Sequence, residues 1–101
     1  GKRRYSMKYL VLGCDPVGDR PLWEENELPD ATMPVPLPAE LVAEILAWNE
    51  QMASAVWAAT KAASDLTRLN AEGESLAERI AASVPGGAKI RYLSERLSSF
   101  G

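Results

Sequence analysis

The feature that most constrains this chain is an apolar stripe that runs from Leu41 to Leu69, built largely from alanine and punctuated by Trp48 and Trp57. Leu41, Ile45, Trp48, Met52, Ala55, Ala59, Ala63 and Leu66 recur at steps of four and three, which places them on one side of a helix. Val42, Leu46, Val56 and Leu69 widen that side. A helix with so broad an apolar face has to be covered by something. The small alanines let a second helix approach closely, so Ala55, Trp57, Ala59 and Ala63 are the expected helix-to-helix contacts, including contacts between two copies of the chain. Pro38 suits the first helical position, and Glu40 the positive end of the helix dipole. Asn70 is expected to stop this helix and to cap a second over residues 71–84. The second helix carries Leu76, Ala77, Ile80, Ala81 and Val84 and ends at Pro85-Gly86-Gly87.

Two short segments outside the helices have strand character. Residues 8–13, Lys-Tyr-Leu-Val-Leu-Gly, form an apolar β-rich run that predicts a strand in the middle of the core, and residues 89–93 alternate polar and apolar as a half-buried strand does. Between the first strand and the first helix, residues 14–37 hold five prolines and two clusters of acids, which predicts a long loop. Leu22, Trp23, Leu28, Met33 and Val35 are its candidate anchors. The chain is long enough for one domain and too short for two. The expected fold over residues 1–101 is a helix-dominated α+β domain: strand, long Pro-rich acidic loop, long helix, shorter helix, strand. The two strands are expected to pair in parallel, because a helical crossover is the connection such a pair requires. A two-stranded sheet is thin. Either the loop adds a strand around Thr32–Val35, or two copies join, and a homodimer is the expected assembly. Residues 94–101 read as a tail.

Charge is unevenly distributed. The net charge is −3, yet Lys2, Arg3, Arg4 and Lys8 make the first eight residues strongly basic. Residues 1–6, with Gly1 leading and Met7 opening the first strand, are expected to be a tag remnant or an upstream extension. From Tyr9 to Gly87 thirteen Asp and Glu face four Arg and Lys, and the acids concentrate between Asp15 and Glu44. Such a surface repels nucleic-acid backbones and attracts basic partners. No apolar run approaches the roughly 18 residues of a membrane span. The lone Cys14 forms no internal disulfide, and a cytoplasmic location is expected.

The chain has no histidine, which removes Ser-His-Asp and Cys-His catalysis, histidine metal sites and an imidazole acid or base. There is no phosphate-binding glycine loop; the glycines at 13, 18, 73, 86 and 87 fall at expected turns. No catalytic residue, metal or cofactor is expected. The sharpest chemical candidate is Cys14 beside Asp15 at the end of the first strand, a reactive thiol if Arg20 or Arg91 lies close. The plainer expectation is a small buried side chain. Asp15, Asp19, Glu24, Glu25, Glu27 and Asp30 do not have calcium-loop spacing. They form either a solvated loop or a partner-binding face. Trp48 is expected in the core, Trp57 in the core or at a helix interface. Trp23 is expected as a loop anchor, with an exposed binding hot spot as the functional alternative.

The residues Gly13-Cys14-Asp15-Pro16, Pro21-Leu22-Trp23, Leu37-Pro38-Ala39-Glu40-Leu41, Trp48-Asn49, Glu72-Gly73, Leu76-Ala77 and Arg79-Ile80-Ala81 give the chain a resemblance to small actinobacterial proteins of unknown function. Some of those are similar to immunity partners of secreted bacterial toxins. The resemblance implies no catalytic residues. The uneven charge points to a protein-binding module, in its sharp form an immunity-type inhibitor whose acidic loop, Asp15–Asp30 with Trp23, occupies the basic active-site cleft of a nuclease-like toxin. The alternatives are a small ligand-binding protein or enzyme at Cys14-Asp15, and a structural oligomer subunit.

Overall fold

The computed structural model describes residues 7–25, 33–57 and 63–95. Strand β1 spans Lys8–Leu12, β2 Leu22–Glu24, helix α1 Ala39–Trp57, helix α2 Ala63–Ser83 and strand β3 Ala88–Tyr92. The architecture is α+β. The sheet order is β2-β1-β3, with β1 antiparallel to β2 and parallel to β3. The most apolar run thus becomes the central strand, and Leu10, Val11 and Leu12 are fully buried.

One face of this sheet carries Leu10, Leu12 and Leu22, flanked by Ala88, Ile90 and Tyr92. It packs against the buried sides of both helices: Leu41, Ile45, Trp48, Met52 and Ala55 from α1, and Leu66, Leu69, Leu76, Ala77 and Ile80 from α2. The helices run antiparallel. Arg79 grips Glu44 through two hydrogen bonds of 2.6 and 2.8 Å near one end, and Ala55 shares a crevice with Leu69 near the other. Between them the Trp48 indole N–H donates to the Leu69 carbonyl at 2.8 Å.

Several expectations are corrected, among them the helix lengths: α2, at 21 residues against 19 for α1, is not the shorter helix. The stripe is not one helix: α1 ends at Trp57 and α2 begins at Ala63, residues 58–62 lying outside the described residues. Asn70 neither stops nor caps a helix but sits inside α2, and its side chain serves β3 instead. The stretch 14–37 is not all loop, because Leu22–Glu24 supplies the third strand. The alternative strand around Thr32–Val35 does not form over Met33–Val35, and Thr32 lies outside the described residues. Val35 is nonetheless a buried anchor, as is Leu22, while Leu28 lies outside. At the start of α1 the Pro38 carbonyl accepts the Val42 N–H at 3.0 Å. Pro38 therefore occupies the capping position one residue before the helix.

Gly73 is also misread as a turn residue. It lies in α2 in the buried series 66, 69, 73, 76, 80, where an apolar side chain would ordinarily sit. The Tyr92 ring fills that space: a Cβ at position 73 would stand 2.6 Å from the ring carbon Cζ and from the hydroxyl oxygen. The turn before β3 has a different requirement, since Gly86 and Gly87 hold φ of 83° and 92°. Helix propensity favours Gly73→Ala by about 1 kcal/mol, whereas overpacking costs about 1–3 kcal/mol. Urea denaturation is expected to show net destabilisation; a gain in stability would mean that the ring does not rest on the helix backbone.

Candidate functional site

Because β1 and β3 are parallel and in register at Leu12 and Tyr92, both strands leave the sheet at the same end. Each exit is held by an asparagine from the helical layer. On the β1 side the Asp15 backbone N–H donates to Asn49 Oδ1 at 2.7 Å, and Asn49 Nδ2 donates to the carbonyls of Asp15 and Gly18, both at 3.1 Å. On the β3 side the Glu95 N–H donates to Asn70 Oδ1 at 3.0 Å, and Asn70 Nδ2 donates to the Glu95 carbonyl at 2.8 Å. The Tyr92 hydroxyl adds a bond to Asn70 Oδ1 at 2.6 Å. Asn49 is 4% exposed, with both amide hydrogens donated and its oxygen accepting. An Asn side chain can do this because it presents donor and acceptor together.

The β1 exit continues into a tight turn over residues 13–21. The Gly13 N–H donates to the Pro21 carbonyl at 2.9 Å, and the Arg20 N–H donates to Asp15 Oδ2 at 3.0 Å. That carboxylate lies 2.8 Å from where a Gly18 Cβ would be, so a side chain at position 18 would have to push the Asp15 carboxylate aside. Trp57, at the end of α1, donates its indole N–H to the Pro16 carbonyl at 2.9 Å. Trp57 is nevertheless 67% exposed and Val17, at the turn's tip, 84%. Between the turn and α1 lies a cleft of about 400 Å³ whose lining includes Asp15, Val17, Asp19, Leu46, Glu50 and Ala53.

The four described acids, Asp15, Asp19, Glu24 and Glu25, do not form one surface. Glu24 pairs with Lys8 at 3.4 Å and Glu25 with Arg91 at 3.1 Å. Asp15 folds into its own turn and Asp19 is exposed. Glu27 and Asp30 lie outside the described residues. Trp23 is half-buried in β2, in register with Val11. The expected oligomer contacts separate too. Ala55 is buried within the single chain and is not available to a second copy, while Trp57 faces outward. Ala59 and the side chain of Ala63 lie outside the described residues.

Cys14 lies half-buried between the two clamps. Burial, then the carboxylates of Glu95 and Asp15, push its thiol up to about 12. This is the reverse of activation, which needs a nearby positive charge. Arg91 does not supply that charge, since it pairs with Glu25. Burial, then Glu74, Glu95 and Cys14, likewise push the Tyr92 phenol up. Among the described residues no group of three or more Cys, Asp and Glu could hold a metal, and no helix is long and apolar enough to cross a membrane.

The sequence does not single out Asn49, Asn70, Val17 or Glu50 as candidate site residues. For Asn49 a signal existed, because it is an amide lying between Trp48 and Met52 on the covered side of α1. The others carried none. The chain matches no protein-family model, no curated protein and no solved structure.

Both raised acids stay protonated in the folded protein at pH values where the unfolded chain has lost its protons. The native state therefore binds more protons above about pH 9, and stability falls as pH rises from there through about 12. The urea midpoint is expected to drop over that range, and Cys14→Ser to flatten the drop. At pH 8 iodoacetamide should alkylate Cys14 far more slowly in the native protein than in urea; equal rates would contradict a buried, charge-opposed thiol.

Proposed function

We propose that the protein is a non-catalytic binding module that recognises a basic protein partner through the turn Asp15–Asp19 and the adjoining outer side of α1. The supporting observation is the pairing of Val17 and Trp57, the two most exposed large apolar side chains described, beside the carboxylates of Asp19 and Glu50. Exposed aromatic and aliphatic groups on a rigid frame, rimmed by charge, are the usual makings of a protein-binding hot spot. The frame is rigid for stated reasons: Asn49 holds the turn to α1, and the Trp57 indole is tied to Pro16. Little is left to order on binding.

In its sharpest form the module is an immunity-type inhibitor seated in the basic active-site cleft of a nuclease-like toxin. The acids it would use are fewer than the whole loop, because Glu24 and Glu25 already face Lys8 and Arg91 of the same chain. Attraction between an acidic surface and a basic cleft speeds encounter and makes it sensitive to salt. A ligand-binding or catalytic role at Cys14-Asp15 has less in its favour, since the thiol is held protonated.

Affinity capture from the source cells and their secreted fraction is the test, using the wild-type chain, Trp57→Ala with Val17→Ser, and Asp19→Lys with Glu50→Lys. One basic protein should be retained by wild type at low salt, released by salt, and lost from both variants while their circular dichroism is unchanged. Equal retention by all three chains would overturn the assignment of this surface.

A further inference from the structure

We infer that the cleft between the Asp15–Asp19 turn and α1 receives an arginine side chain presented by the partner protein, an inference that rests on the binding-module reading above and deepens it. The cleft, at about 400 Å³, is near the small end of ligand-sized pockets, roughly 300–1,000 Å³, and suits one long side chain rather than a whole helix. Its walls include the apolar groups of Val17, Leu46 and Ala53, and three carboxylates, Asp15, Asp19 and Glu50, with no lysine or arginine among its described lining residues. A long aliphatic stem ending in a cation complements those walls.

Several details favour arginine over lysine. Asp15 Oδ2 already accepts the Arg20 N–H and Asn49 is buried against the turn's backbone, whereas the carboxylates of Asp19 and Glu50 are exposed and lead the recognition. A guanidinium is planar and presents a fork of donors, so it can bridge two carboxylates, whereas an ammonium acts as a point charge. Trp57 stands beside Pro16, a wall of the cleft, and one turn of α1 beyond Ala53. Its N–H is fixed to the Pro16 carbonyl while the ring remains largely exposed, an arrangement suited to a guanidinium stacking on it.

The test is a titration of the ¹⁵N-labelled full chain with acetyl-arginine amide, acetyl-lysine amide and the uncharged acetyl-citrulline amide, at millimolar concentrations and low salt. The arginine probe should shift the amides of Val17, Asp19 and Glu50 and the Trp57 indole N–H. It should bind at least about threefold more tightly than the lysine probe, and citrulline should leave these signals in place. Asp19→Asn with Glu50→Gln should abolish the shifts while the rest of the spectrum is retained. Shifts elsewhere, no shifts, or equal response to lysine would overturn the inference. If the probe misses the cleft yet a protein partner is still lost with Trp57→Ala and Val17→Ser, arginine capture fails and the binding module stands. If the probe binds but no protein partner depends on Trp57, the cleft takes a free guanidinium compound and the inference fails with the module.

Discussion

Two parallel strands joined by a helical hairpin leave the chain with two exposed exits at one end of the sheet, and in this protein each exit is closed by an asparagine. Asn49 and Asn70 come from different helices, yet each accepts an N–H and returns a bond to the carbonyl of the same residue. The residues they hold, Asp15 and Glu95, both stand three positions past the ends of strands that are in register. An aliphatic side chain in either place would strand peptide groups, at about 1–3 kcal/mol for each buried group left unpaired. A carboxylate would bring a second acceptor against the carbonyls.

The clamps also explain what surrounds them. Tyr92 reaches Asn70 with its ring against α2 at residue 73, where a Cβ would collide with it. Trp48 sits 6.0 Å from the Tyr92 ring in a tilted arrangement and bonds across to α2, so that the two clamps share one aromatic joint. Cys14 lies half-buried against this packing beside two carboxylates, and its chemistry is suppressed rather than enhanced. On the outer side the Asn49 clamp presents the turn with Val17 at its tip, which is the surface where binding is proposed.

Much of this was legible in the residues. The apolar run 8–13 and the alternating 89–93 have the periodicity of a central and a half-buried strand, and a crossover long enough to make them parallel lies between them. The break between the helices was not legible, because Met52, Ala55, Ala59, Ala63, Leu66 and Leu69 stay in helical phase across it. β2 was hidden by its length of three residues and by the proline and acids around it. Glu24 and Glu25 look like one acidic patch in the sequence, but they pair with Lys8 of β1 and Arg91 of β3 respectively. Asn70 was read through its local preference for helix ends, and only the tertiary position of Glu95 reveals its use.

Native-state amide hydrogen exchange at Asp15 and Glu95 tests the double clamp most directly. Both N–H groups lie outside any helix or strand and would exchange rapidly in ordinary exposed loops. If asparagines hold the two exits, both amides are protected to the level of the β1 amides, and Asn49→Ala and Asn70→Ala each release their own amide first. Rapid exchange at both positions in the wild-type protein would contradict the account.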